Sequence, residues 1–222
     1  NSSATPPIAA VLSSGQPLTF GGGAATSSTL LNSLDQTTTP YAAGDTIQIT
    51  GSRVDGTAVN ASYAITGTAS DTVGALLNTI NAQFLAATPG SGATATLDSS
   101  GHILLTANQG GLANLTLSLV NSTTVANAGT QFTNFSTTVP GKAGGSTTTA
   151  IQVFDNQFAP HTITFTFQKT GANVWSVSAT VDPKEGKISG FGLDNIVAGL
   201  TFNENGSFQG VAGTSTAELL AS

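Results

Sequence analysis

The chain contains no cysteine, so it can form neither disulfides nor thiolate metal sites. It has no methionine, only two tyrosines and a single tryptophan, which leaves few aromatic platforms for stacking sugars or bases. Charge is scarcer still. Acidic and basic residues make up 7% of the sequence, against roughly a quarter in an average soluble domain. The five basic residues, Arg53, Lys142, Lys169, Lys184 and Lys187, form no stripe that could neutralise phosphates, so nucleic acid is not an expected partner. No apolar run approaches the ~20 residues that cross a bilayer, and no transmembrane helix is expected.

Serine and threonine fill the gap, at roughly a quarter of the residues. With 222 residues and 39% hydrophobic content there is enough apolar material for one large or two small cores. A disordered acidic segment would show the opposite bias, so this chain is expected to fold despite its net charge of -6. A cysteine-free sequence rich in Thr, Gly and Asn has the texture of a bacterial exported surface protein. The sequence starts at Asn1 and ends on "AELLAS", which reads as a fragment of a longer polypeptide with any signal or terminal helix out of view.

Residues 1–40 read as connecting strand and loop, punctuated by prolines and the Gly21–Gly23 run. From Tyr41 the texture changes. "GDTIQIT" and "ASYAIT" alternate like half-buried strands around an Asp55-Gly56 turn. Next, Val73, Leu76, Leu77, Ile80 and Phe84 recur at helical spacing, with Ser70 or Asp71 as the expected cap and Pro89-Gly90 as the stop. Strands return at "ATATL", "HILLT" and "NLTLSLV". This order predicts a helix-on-sheet α+β module over 41–125, inserted in a discontinuous β-domain made of 1–40 and 126–222. The fold class expected is mostly β, with an antiparallel sandwich or barrel-like β-domain.

In that β-domain, "HTITFTF" and "VWSVSATV" flank a Gly-containing loop and predict a hairpin with one apolar face. Ile163, Phe165, Phe167, Trp175 and Val177 share that face, and Phe202 points inward from a later hairpin turning at Asn205-Gly206. Those six residues are the expected structural core, and Trp175 is expected to be buried.

Chemistry is hard to place. The two histidines, His102 and His161, each stand at a strand edge beside a turn, where a solvated or locally hydrogen-bonded role is the ordinary one. No nucleophile elbow, zinc-protease helix motif or phosphate loop occurs, and "SGFGLDN" lacks the context of a dinucleotide fingerprint. Most aspartates sit in turns, where they cap backbone amides. "DPKEG" at Asp182–Gly186 lacks the alternating oxygen ligands of a calcium loop. No catalytic residue, cofactor or metal is expected, and the protein is not expected to be an enzyme.

The segment "TTTAIQVFDNQFAPHTITFTFQKTGANVWSVSATVDP" resembles the β-domain of bacterial flagellar hook proteins. Val153, Asp155, His161, Lys169, Thr170, Gly171, Asn173 and Trp175 stand at matching positions. "GLTFNENGSF" is similar to the family's later element through Leu200, Phe202, Asn203, Gly206 and Phe208, and "LLNSLDQTTTP" to its entering strand. One departure stands out: Phe158 replaces a usual glycine. A bulky residue is strained at positive φ, so the turn is expected to be rebuilt. The module from Tyr41 to Val120 is similar instead to insertion modules of flagellins and filament-cap proteins.

The resemblance implies a structural subunit of the hook, the curved extracellular tube that joins motor to filament as a universal joint. It implies outer-layer domains that slide against other copies of the subunit, and export by the flagellar secretion system. Hook-cap, rod and hook–filament junction proteins are the implied partners, with the isolated chain monomeric. An adhesin or surface-layer module shares the Thr/Gly-rich β texture and is the alternative. A carbohydrate-active enzyme would need an exposed aromatic cluster or paired acids, and neither is legible.

Overall fold

Contacts divide the chain into two units, Ala9–Lys142 on one side and Asn1–Ile8 with Ala143–Ser222 on the other. The computed structural model describes residues 5–85, 91–171, 173–184, 186–188, 195–203 and 205–211. The expected helix stop at Pro89-Gly90 and the "AELLAS" end lie outside the described residues.

In the first unit the strands are β1 (Val11–Ser14), β2 (Thr19–Phe20), β3 (Gly23–Ala24), β4 (Thr46–Ser52) and β5 (Ala58–Ala64). Helix α1 (Val73–Phe84) follows, then β6 (Ala93–Leu97), β7 (Ile103–Ala107), β8 (Thr116–Ser122) and β9 (Phe135–Val139). They form a three-stranded sheet in the order β5-β4-β8, a four-stranded sheet in the order β6-β7-β1-β9, and the small ribbon β2-β3. All the pairings are antiparallel.

Helix α1 forms for the reason its spacing suggests. Val73, Leu76, Leu77, Ile80 and Phe84 are all buried, and they join Ile47, Ile49, Ile103 and Leu105 in one core. A helix of 12 residues is marginal alone, so its stability comes from this packing, roughly 1.5–3 kcal/mol for each large side chain buried. The cap is Thr72, whose hydroxyl accepts from the Ala75 amide, rather than Ser70 or Asp71. At the other end, Arg53 Nε and Nη2 donate to the Gln83 carbonyl at 3.0 and 2.7 Å, placing a cation at the negative helix end. Asn81 treats Ala95 as a strand neighbour would. Its Nδ2 donates to the Ala95 carbonyl at 3.1 Å, and its Oδ1 accepts from the Ala95 amide at 2.6 Å.

The domain boundaries differ from those expected. The stretch after residue 8 belongs with the helical unit because β1 lies between β7 and β9 and completes their sheet, with Leu12 opposite Leu105 and Thr137. The stretch after β8 supplies β9, although it lies beyond the expected end of the module at residue 125. The module is therefore larger than 41–125, and its sheet is closed by strands from both flanks. "LLNSLDQTTTP" is not a strand either, but a 3₁₀ turn at Leu31–Ser33 with Leu31 and Leu34 in the core.

The second unit is one five-stranded antiparallel meander: β10 (Ser146–Phe154), β11 (Pro160–Gly171), β12 (Val174–Val181), β13 (Ile196–Phe202) and β14 (Phe208–Val211), in that order. Register places Thr147, Phe167 and Val177 in one row, and Thr149, Phe165 and Ala179 in the next. The mostly β class expected from sequence is what the two units show.

Candidate functional site: the apolar row and the turns of the five-stranded sheet

The rows across the meander put the six expected core residues on neighbouring strands, but not at one depth. Val177 is buried, as is Ala179 beside it. Ile163, Phe165, Phe167, Trp175 and Phe202 are half-buried. The tryptophan thus departs from the buried position expected. Trp175 pairs across strands with Lys169 on one side and Leu200 on the other. The Lys169 ammonium sits 5.9 Å from the indole centroid, within cation–π range. Phe202 meets Phe208 edge to face at 5.9 Å between centroids. The described part of this face is hydrophobic packing with Lys169 at its edge.

The β10–β11 turn is built by Asp155. Its Oδ1 accepts from the amides of Gln157 and Ala159, each at 2.8 Å, and its Oδ2 lies 3.2 Å from His161 Nε2. The Ala159 amide, then His161, hold the Asp155 carboxyl below its ordinary value. Within this frame Phe158 adopts φ 62° and is 85% exposed. The bulky residue was expected to be strained at positive φ, and Phe158 does adopt that left-handed conformation.

His102 repeats the arrangement. Asp98 Oδ1 accepts from the Ser100 and His102 amides at 2.8 Å, and Asp98 Oδ2 stands 3.6 Å from His102 Nδ1. Each histidine is thus tied to the aspartate of its own turn. Asp182 likewise accepts from the Lys184 amide at 2.9 Å, which makes the described part of "DPKEG" an ordinary turn. Among the described residues no group of three or more His, Asp or Glu is placed to hold a metal, and no helix is long and apolar enough to cross a membrane.

Two polar clusters escaped sequence reasoning. Asp71 accepts from the amides of Thr66, Gly67 and Thr68, from the Thr66 hydroxyl and from Tyr63 Oη. Burial alone would push its carboxyl up, but these donors outweigh it and hold the value down. Tyr41 Oη donates to Asn121 Oδ1 at 2.7 Å, while Asn121 Nδ2 donates to the carbonyls of Thr130 and Ala128. Asn121 borders an open groove of about 350 Å³ lined also by Ser118, Thr130 and Asn134. The Asn121 amide is committed to those neighbours and so serves the scaffold. The Asn and Asp of "LLNSLDQTTTP" are structural as well: Asn32 clasps the Tyr41 backbone, and Asp35 caps the Gly21 and Gly22 amides.

Residues 126–221, less than half of the chain, match the family model described as flagellar basal body protein FlaE D2 domain. That match contains the whole five-stranded sheet and bears out the resemblance to a flagellar hook protein drawn from the motifs there. No curated protein and no solved structure matches the chain.

Proposed function

We propose that the chain supplies outer domains of the bacterial flagellar hook, the flexible extracellular tube between motor and filament. The observation that carries this reading is that the matched segment contains the complete meander β10–β14. Its motif residues serve that sheet: Asp155 and His161 build one turn, and Lys169 and Trp175 pair across β11 and β12.

The surface chemistry supports sliding contacts between subunits. Ser146, Thr148, Thr162 and Thr180 are exposed and share the polar face, which presents small hydroxyls in place of fixed charges. Hydroxyl contacts are weak and interchangeable, whereas ion pairs across an interface would favour one register. In a tube, many such contacts act at high effective concentration and can set curvature without any one being strong. Other copies of the chain are then the main partners, with rod, hook-cap and junction proteins at the two ends, and the flagellar secretion system as the export route. The unit Ala9–Lys142 is an added domain in this reading, with β1 and β9 near its two ends completing its four-stranded sheet.

The test is genetic. Cells lacking the chain should assemble rods without a curved hook or filament, seen by electron microscopy of isolated basal bodies. Normal hooks in such cells, with surface adhesion lost instead, would favour the adhesin reading.

A further inference from the structure

The β10–β11 turn carries an exposed apolar tip. Phe154 and Pro160 face each other on the last rung of the ladder, and Phe158 lies in the turn that joins them. Phe154 is 63% exposed and Phe158 85%. The backbone at Phe158 is left-handed, a conformation that costs an ordinary L-residue energy, and a ring this exposed wins little packing in return. The turn is nonetheless held firmly, by both Asp155 oxygens and by the Phe158 amide donating to the Asp155 carbonyl at 3.1 Å. A rigid frame thus holds an aromatic ring out to solvent. Asp155 directs its carboxylate to the amides and imidazole of its own turn, so the tip offers apolar surface with its charge already engaged.

We propose that this tip is a subunit contact in the assembled hook, with the Phe158 ring packing onto a second copy of the same chain; the proposal rests on the hook reading above. Size selects that occupant. If a phenylalanine buries 150–250 Å² in full, the exposed parts of Phe154 and Phe158 amount to roughly 300 Å². A stable interface formed from solution needs about 800 Å² on each partner. The tip is too small to capture a free protein or to hold a dimer alone. It suffices for a neighbour already held in place by other contacts of a polymer, where effective concentration is high. Copies of a chain with so few charges also meet without strong repulsion at this point.

The test places the photoreactive residue p-benzoylphenylalanine at position 158 of the protein as the cells produce it. Hooks isolated from the producing cells are irradiated, as is the free 222-residue chain at micromolar concentration. The expected result is a covalent chain–chain dimer in hooks and none in the free chain. Hooks that contain the protein but yield only monomer, or an adduct with a different protein, would overturn the contact while leaving the hook reading intact. Absence of the protein from hooks would overturn both, and cross-linking of the free chain would overturn the need for a polymer. Phe158→Gly supplies an independent readout, since it removes the ring and relieves the backbone. The thermal midpoint of the free chain should hold or rise, while isolated hooks dissociate several-fold faster on heating. An unchanged dissociation rate would sink the proposal.

Discussion

Tyr63 Oη donates to Asp71 Oδ1 at 3.1 Å, so the carboxylate that organises the turn before α1 also keeps a phenol in its neutral form. Burial and then the Asp71 charge push the Tyr63 phenol up to about 12. Tyr41, the other tyrosine, is raised too, chiefly by burial.

Absorbance titration of the phenols checks this directly. Both tyrosines should ionise above the ordinary value of 10 as long as the protein is folded. Because the folded value lies above the unfolded one, the associated stability is complete below pH 10 and fades as the pH rises toward 12 for Tyr63. Asp71 works in the opposite sense. Its folded value is lowered, so its contribution is complete above 3.8 and is lost as the pH falls through that lower value. Ionisation of Tyr63 at or below pH 10 in the native protein, read in a Tyr41→Phe variant, would contradict the Tyr63–Asp71 contact.

Trp175→Ala should lower stability by about 1.5–3 kcal/mol, less than the 3–5 expected for a fully buried aromatic. The indole is half-buried and partly covered by Lys169, so less packing is lost. Denaturant unfolding, followed by far-UV circular dichroism because the variant has no tryptophan, measures the change. A shift above ~4 kcal/mol would mean that the ring is covered more deeply than the sheet indicates.

Gly129→Ala should cost about 2–4 kcal/mol for two reasons acting together. The residue has φ 89°, and an added Cβ would collide with the Tyr41 ring. Tyr41 is pinned there by Asn121, so it cannot easily move aside. Thermal denaturation with little change in midpoint would show that the Tyr41–Asn121 clasp is loose.

How much of this was legible in the sequence depends on whether the signal was local. The stripe from Val73 to Phe84 needed only helical spacing, and all five side chains are buried as read. The strand alternation of 163–167 and 175–181 correctly sorted side chains by face. It could not say how thickly that face is covered, which is why Trp175 was read as buried. Leu12 pairs with Thr137 across more than a hundred positions, and strands as short as β1 and β9 carry too little alternation to announce such a partner. Ser70, Asp71 and Thr72 are all competent caps in a row; only the fold shows that Asp71 is taken by the Thr66–Thr68 amides and Tyr63. Phe158 was flagged by its departure from the hook pattern, but its exposure follows from the Asp155 frame.

The free chain should remain monomeric by sedimentation equilibrium across a hundredfold range of concentration. Exposed large hydrophobics such as Phe20, Leu85, Leu112 and Phe158 are scattered along the chain, and the tip of Phe154 and Phe158 falls short of a stable interface. A closed dimer at micromolar concentration would favour the adhesin reading.

The central claim is that this chain belongs to the hook, and immunogold labelling of isolated hook–basal bodies tests it most directly. Antibody raised against the 222-residue chain should decorate the curved tube along its whole length, because every subunit would present these domains outward. Gold confined to the filament or the cell surface, or absent from intact hooks, would contradict the account.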